Sequence, residues 1–136
     1  MKEQKIFPYK NPLPKLHETV FLASGMKIIG VVEIGEHSSV WYNSVIRGEV
    51  YYIKIGDYTN IQDCSMLHVT NGKFPLNIGN KVTIGQSVKL HGCTLNDLCL
   101  IGIGAVVRPG FVIPSGNLVA GVPAKFLRDL TKEEIN

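Results

Sequence analysis

One aliphatic position returns every sixth residue along most of this chain, and neither a helix nor an ordinary strand produces that period. It is occupied by Ile28, Ile34, Val40, Ile46, Ile55, Ile61, Leu67, Ile78, Ile84, Leu90, Leu95, Ile101, Val107, Ile113 and Val119. An amphipathic helix would repeat at about 3.6 residues, and an alternating strand at about two without regular breaks. A period of six describes a strand of roughly four residues and then a corner, and three such sides close a triangular coil. Each coil climbs about 4.8 Å, the spacing of paired strands, and turns the aliphatic side chain into the prism. Fifteen hexads predict an all-β, single-stranded parallel β-helix of about five triangular coils. Gly35, Gly56, Gly79, Gly85 and Gly102 directly follow the repeated position, where a compact residue suits a corner. The position two before it is mostly small or aliphatic, as at Ser38, Ser44, Thr59, Ser65, Cys93 and Cys99.

The spacing departs from six in three places. Ile46 to Ile55 is nine residues, so Arg47–Tyr52 bulges from a corner. Leu67 to Ile78 is eleven, so His68–Pro75 projects as a loop, and Leu90 to Leu95 is five, a tightened corner. Residues 1–24, with Pro8, Pro12 and Pro14, read as an extended lead-in, residues 25–120 as coils, and residues 121–136 as a tail. After Pro123 the tail turns helix-like, with Thr131 as its N-cap.

At 136 residues the chain makes one domain with one core. A net charge of +3, with no run of Lys or Arg beyond two, argues against a nucleic-acid partner. No window of about 18 apolar residues exists to span a membrane, and the first 20 residues lack the pattern of a secretory signal. Cys64, Cys93 and Cys99 are odd in number and show no CxxC spacing. Cys93 and Cys99 fall at core-facing positions and read as small fillers in a reducing cytoplasm, the expected location.

Dividing the hexads by three assigns each to a side of the prism. Ile46, Leu67 and Leu90 then share a side, and their outward-facing successors are Arg47, His68 and His91. The two histidines are expected on adjacent coils, about 5 Å apart, a separation at which two imidazoles can hold one ion. The plainer alternative is a pair of surface histidines that happen to align. Polar neighbours accompany them: Arg47, Glu49, Gln62 and Asp63.

The stretches SVWYNSVIRGEV, IGDYTNIQDCSMLHV, VTIGQSVKLHGC and GVPAK carry a resemblance to the gamma-class carbonic anhydrases, from about residue 34 to 128. Those proteins are hexapeptide-repeat, left-handed β-helices; the hexads and GVPAK are shared with acyltransferases on the same prism. The resemblance implies a homotrimer with zinc, or another divalent transition metal, between subunits. It implies that His68 and His91 are ligands from one chain, and that the third ligand position falls on Gln86, where the family has histidine. It further implies that Arg47 pairs across the interface with acids such as Glu49 and Asp63, and that Gln62 orients the metal-bound water. The implied activity is hydration of CO₂ to bicarbonate by metal-bound hydroxide.

The chain departs from the family at Gln86, because a neutral amide is a poorer zinc ligand than imidazole and lowers the expected occupancy. It also departs after IGIGAVV, where one coil is missing, and beyond LTKEEI, where the relatives' helix continues. Two other readings stand beside the enzyme: a non-catalytic trimeric scaffold or metal-binding protein, and a hexapeptide acyltransferase with a histidine base. His17 and His37 read as solvent-facing. Trp41 suits a subunit interface or a substrate contact, and Tyr51 and Tyr52 suit the site mouth or packing.

Overall fold

The computed structural model describes residues 3–10, 12–70 and 72–135. Its strands stack in parallel along three walls, and each wall carries its own ladder of aliphatic residues. On the first wall Ile6, Ile28, Ile46, Leu67, Leu90 and Val107 lie in register, one per coil. The second wall runs Leu16, Ile34, Ile55, Ile78, Leu95, Ile113. The third runs Leu22, Val40, Ile61, Ile84, Ile101, Val119. All fifteen residues of the expected repeat are at most 4% exposed, so the period of six is the period of the core. Burying a side chain of this size contributes roughly 1.5–3 kcal/mol.

The stack has six levels rather than five. Residues 1–24 are expected as a lead-in outside the coils, but three short strands among their described residues supply the extra level: Ile6–Phe7, Lys15–Leu16 and Phe21–Leu22 each pair with the coil that follows. At the other end the tail first forms a strand, Lys125–Asp129, antiparallel to Asn117–Ala120. Only then does it form the short helix Lys132–Ile135. Thr131 caps that helix as expected. Its hydroxyl accepts from the Glu134 N–H at 3.2 Å, and the Glu134 carboxylate accepts from the Thr131 N–H at 2.9 Å.

Two of the three vertical edges are stitched from coil to coil. At the edge between the third and first walls, Ser44 Oγ donates to the Gln62 carbonyl and accepts from the Ser65 N–H, at 2.6 and 3.1 Å. Ser65 repeats the pattern one coil on, toward Gly85 and Val88. Ser38 and Thr59 do the same between the second and third walls. These hydroxyls are buried, and each satisfies a backbone donor and acceptor that the corner withdraws from the ladder. A non-glycine residue with positive φ precedes each of them, His37 and Tyr58 on one edge and Asn43 and Cys64 on the other.

The glycines that follow the aliphatic positions suit the corner by their compactness, as expected. Their φ angles are ordinary; what they provide is clearance. A Cβ on Gly56 would lie 2.7 Å from the carbonyl carbon and oxygen of Gly79 in the next coil. Asp57, Asn80 and Asp97 occupy this corner in successive coils. Each accepts a backbone N–H of the preceding coil at 2.8 Å, from Glu36, Asp57 and Asn80 respectively.

The third edge, between the first and second walls, takes up every irregularity in the spacing. Its inserts are the bulge after Gly48, the His68–Pro75 loop, and the short corner at Gly92.

Candidate functional site

The histidine pair stands where the outward alternation of the first wall meets this irregular edge. Parallel pairing sets His68 directly beside His91, and their ring centroids are 5.2 Å apart with planes tilted by 48°. His68 is half-buried and His91 exposed. The Nε2–H of His91 donates to the Val69 carbonyl at 3.0 Å. A carbonyl only accepts, so in the neutral ring the bare lone pair lies on Nδ1. Burial holds the pKa of His68 below its ordinary value; the charges of Arg47 and His91 act the same way, and Glu49 opposes them. His68 is therefore favoured as a neutral imidazole, the form that ligates a metal.

Arg47 and Glu49 project from the same wall. Arg47 Nε donates to Glu49 Oε1, which lowers the carboxyl pKa and raises that of the guanidinium. Arg47, Glu49, His68 and His91 are thus brought together. Gln62, Asp63 and Gln86 are not part of that group in a single chain. Gln62 follows Ile61 on the third wall and donates to Asn60 Oδ1 at 2.7 Å. Asp63 and Gln86 occupy the next corner in adjacent coils, where the Asp63 carbonyl accepts from Ser87 and the Gln86 carbonyl from Gly104. They belong to a different edge of the prism.

Among the described residues, no three His, Cys, Asp or Glu side chains converge on one point. The pair fits a divalent ion as a half-site: two imidazoles in register, one with its second nitrogen engaged by a carbonyl, and an open outward side. The remaining ligands would come from outside this chain.

Trp41 packs against Phe21 and Tyr42, with its indole N–H donated to Ser39 Oγ at 3.0 Å. Tyr51 and Tyr52 meet edge to face in the bulge. His17 is exposed near Glu36, and His37 is exposed and stacked on Tyr58, so both face solvent as expected. A groove of about 750 Å³ lies at the edge between the second and third walls, lined by residues such as Lys15, His17, Glu33 and Asp57. It shares no residue with the histidine column, and the register of the imidazoles is the better guide to chemistry. The Val69 carbonyl was not foreseeable as a site group, because a backbone acceptor has no side-chain signature.

A six-level prism of hexads defines a hexapeptide-repeat protein, and this one carries a paired-histidine column on its first wall. No family model matches the chain. A carbonic anhydrase of Geobacillus kaustophilus is 38% identical over 148 residues, covering 96% of this chain and 81% of that one. Gamma carbonic anhydrase 2, mitochondrial, of Arabidopsis thaliana is 41% identical over 145 residues, 90% of this chain. This chain spans about half the length of that plant relative, 52%. The crystal structure of a hexapeptide transferase family protein from Anaplasma phagocytophilum superposes with a TM-score of 0.80 at 38% identity, covering 96% of this chain and 87% of that one. The chain belongs to the gamma carbonic anhydrase-like family of hexapeptide-repeat proteins. No helix among the described residues is long and apolar enough to cross a membrane.

Proposed function

We propose that this protein is a gamma-carbonic-anhydrase-like metalloprotein acting on CO₂ and bicarbonate, with His68 and His91 as one chain's share of a zinc or similar site. One observation carries the reading: two imidazoles in strand register, 5.2 Å apart, facing outward from the prism. A divalent ion held there would acidify a coordinated water toward neutral pH. The chain's own residues supply the setting. His68 is kept neutral by burial beside Arg47, and Arg47 and Glu49 hold each other beside it. Gln62, Asp63 and Gln86 lie on another edge, so they would serve a neighbouring copy's pair in a homotrimer rather than their own. The Gln62 amide would then orient water or substrate, and Asp63 would face the partner's Arg47.

Gln86 favours a second reading, a trimeric scaffold with a weak metal site, because its amide is a poor substitute for imidazole. Bound metal and CO₂ hydration, measured for wild type, His68→Ala and Gln86→His, separate the two. The enzyme reading expects metal in the wild type, its loss in His68→Ala, and higher occupancy and rate in Gln86→His. Metal-free wild type with no gain in Gln86→His overturns it and leaves the scaffold.

A further inference from the structure

We infer that Arg108 is an anion-binding residue of this site, holding a small planar oxyanion, bicarbonate, one level beyond the histidine pair. The inference rests on the bicarbonate reading above, and its deciding measurement needs neither metal nor turnover.

The register that aligns the histidines continues one coil further. Leu90 lies beside Val107, and the Gly110 N–H donates to the Gly92 carbonyl at 2.8 Å, just as the Gly92 N–H donates to the His68 carbonyl at 2.9 Å. The first of these bonds sets Pro109 beside Gly92, and so Arg108 beside His91, with no shift. Val107 is buried, so the alternation turns Arg108 outward, and it is exposed. The first wall therefore presents Arg47, His68, His91 and Arg108 on successive levels about 4.8 Å apart.

The two ends of this column differ. Arg47 is paired with Glu49, whereas among the described residues no carboxylate pairs with Arg108. A second cation stands at the same corner. The Phe74 ring lies against the Arg108–Gly110 turn, 3.1 Å from where a Cβ on Gly110 would be, and Lys73 Nζ sits 5.2 Å over that ring. A guanidinium offers two parallel N–H groups that match the paired oxygens of a carboxylate-like edge. Bicarbonate has such an edge and a charge; CO₂ has neither. Arg108 thus selects the charged member of the pair, and a lysine in its place would attract the anion without fixing its orientation.

The test titrates the full chain, without metal and with added zinc, with sodium bicarbonate or with sodium chloride at equal ionic strength. ¹H–¹⁵N spectra follow the Arg108 Nε–H and the backbone amides of His91 and Gly110 in wild type, Arg108→Gln and Arg108→Lys. In the metal-free wild type, bicarbonate is expected to shift all three signals saturably and chloride to leave them nearly still. Arg108→Gln should bind bicarbonate at least about tenfold more weakly, with Arg108→Lys between the two. Equal shifts with chloride, or an Arg108→Gln protein with unchanged bicarbonate affinity, overturn the inference even if the zinc-loaded protein hydrates CO₂. If bicarbonate binds through Arg108 as stated while wild type neither takes up zinc nor hydrates CO₂, the anion site stands and the enzyme reading fails.

Discussion

The two stitched edges of the prism and the one unstitched edge are made from the same chain, yet they behave as different materials. Where Ser38, Ser44, Thr59 and Ser65 tie coil to coil, the spacing between aliphatic residues stays at six across the corner. Where no such ties occur, the spacing runs nine, eleven and five in successive coils. The candidate site sits beside the second kind of edge. A buried hydroxyl bonded to the next coil fixes the length of its corner, since an added residue would strand a donor and an acceptor. A corner without that demand is open to insertions, and side chains with chemistry collect beside it.

The sharpest way to break this contrast is to crowd a stitched edge. Gly56→Ala would drive a methyl into the Gly79 backbone and should cost about 3 kcal/mol in urea denaturation. Gly72→Ala, in the loop with nothing within 4 Å, should cost only the backbone strain of its positive φ, about 1 kcal/mol. Equal losses would erase the distinction.

Removing one tie comes next. Ser65→Ala leaves the Gly85 carbonyl and Val88 N–H without their partner and is expected to lower stability by about 2 kcal/mol. Tyr51→Ser in the bulge should stay within about 0.5 kcal/mol, and both are read from the same denaturation curves.

Thiol chemistry distinguishes the corners without mutation. Cys64 is exposed, whereas burial pushes the Cys93 thiol up to about 12 and raises that of Cys99. At pH 8 a disulfide reagent should titrate one equivalent quickly and two more only after unfolding. Fast reaction of Cys93 would mean that the irregular corner opens.

The smallest effect concerns the tail. Arg128 and the cap at Thr131 hold Glu134 from 4.5 down to about 2. Its folded pKa is depressed, so whatever the contact contributes is complete above the ordinary carboxylate range and is lost as pH falls toward 2. The Glu134 carboxyl carbon followed by NMR should titrate near that value, and an ordinary midpoint would show the tail undocked.

The walls were legible in the amino-acid sequence because one aliphatic per hexad is a strong signal, and each of the fifteen marked residues is interior. The first coil escaped notice although Leu16, Leu22 and Ile28 keep the period. Nine residues, three of them prolines, separate Ile6 from Leu16, and they hide the connection. The His68–His91 register followed from counting, since 23 residues with a known insert leave one alignment. What counting could not reach was the Val69 carbonyl and the seat of Phe74, which depend on how a loop folds back. The strand in the tail was equally hidden: Lys125–Asp129 is exposed along its length, and no alternating hydrophobic pattern marks its pairing.

The column of Asp57, Asn80 and Asp97 resting over Gly35, Gly56 and Gly79 makes the upper and lower surfaces of neighbouring turns near copies of one another. A turn excised or duplicated whole would therefore meet a surface it already fits, while a fraction of a turn would meet the wrong one. Molecules of this design change height in quanta, and nearest-neighbour energetics make each quantum nearly independent of how many stand beneath it.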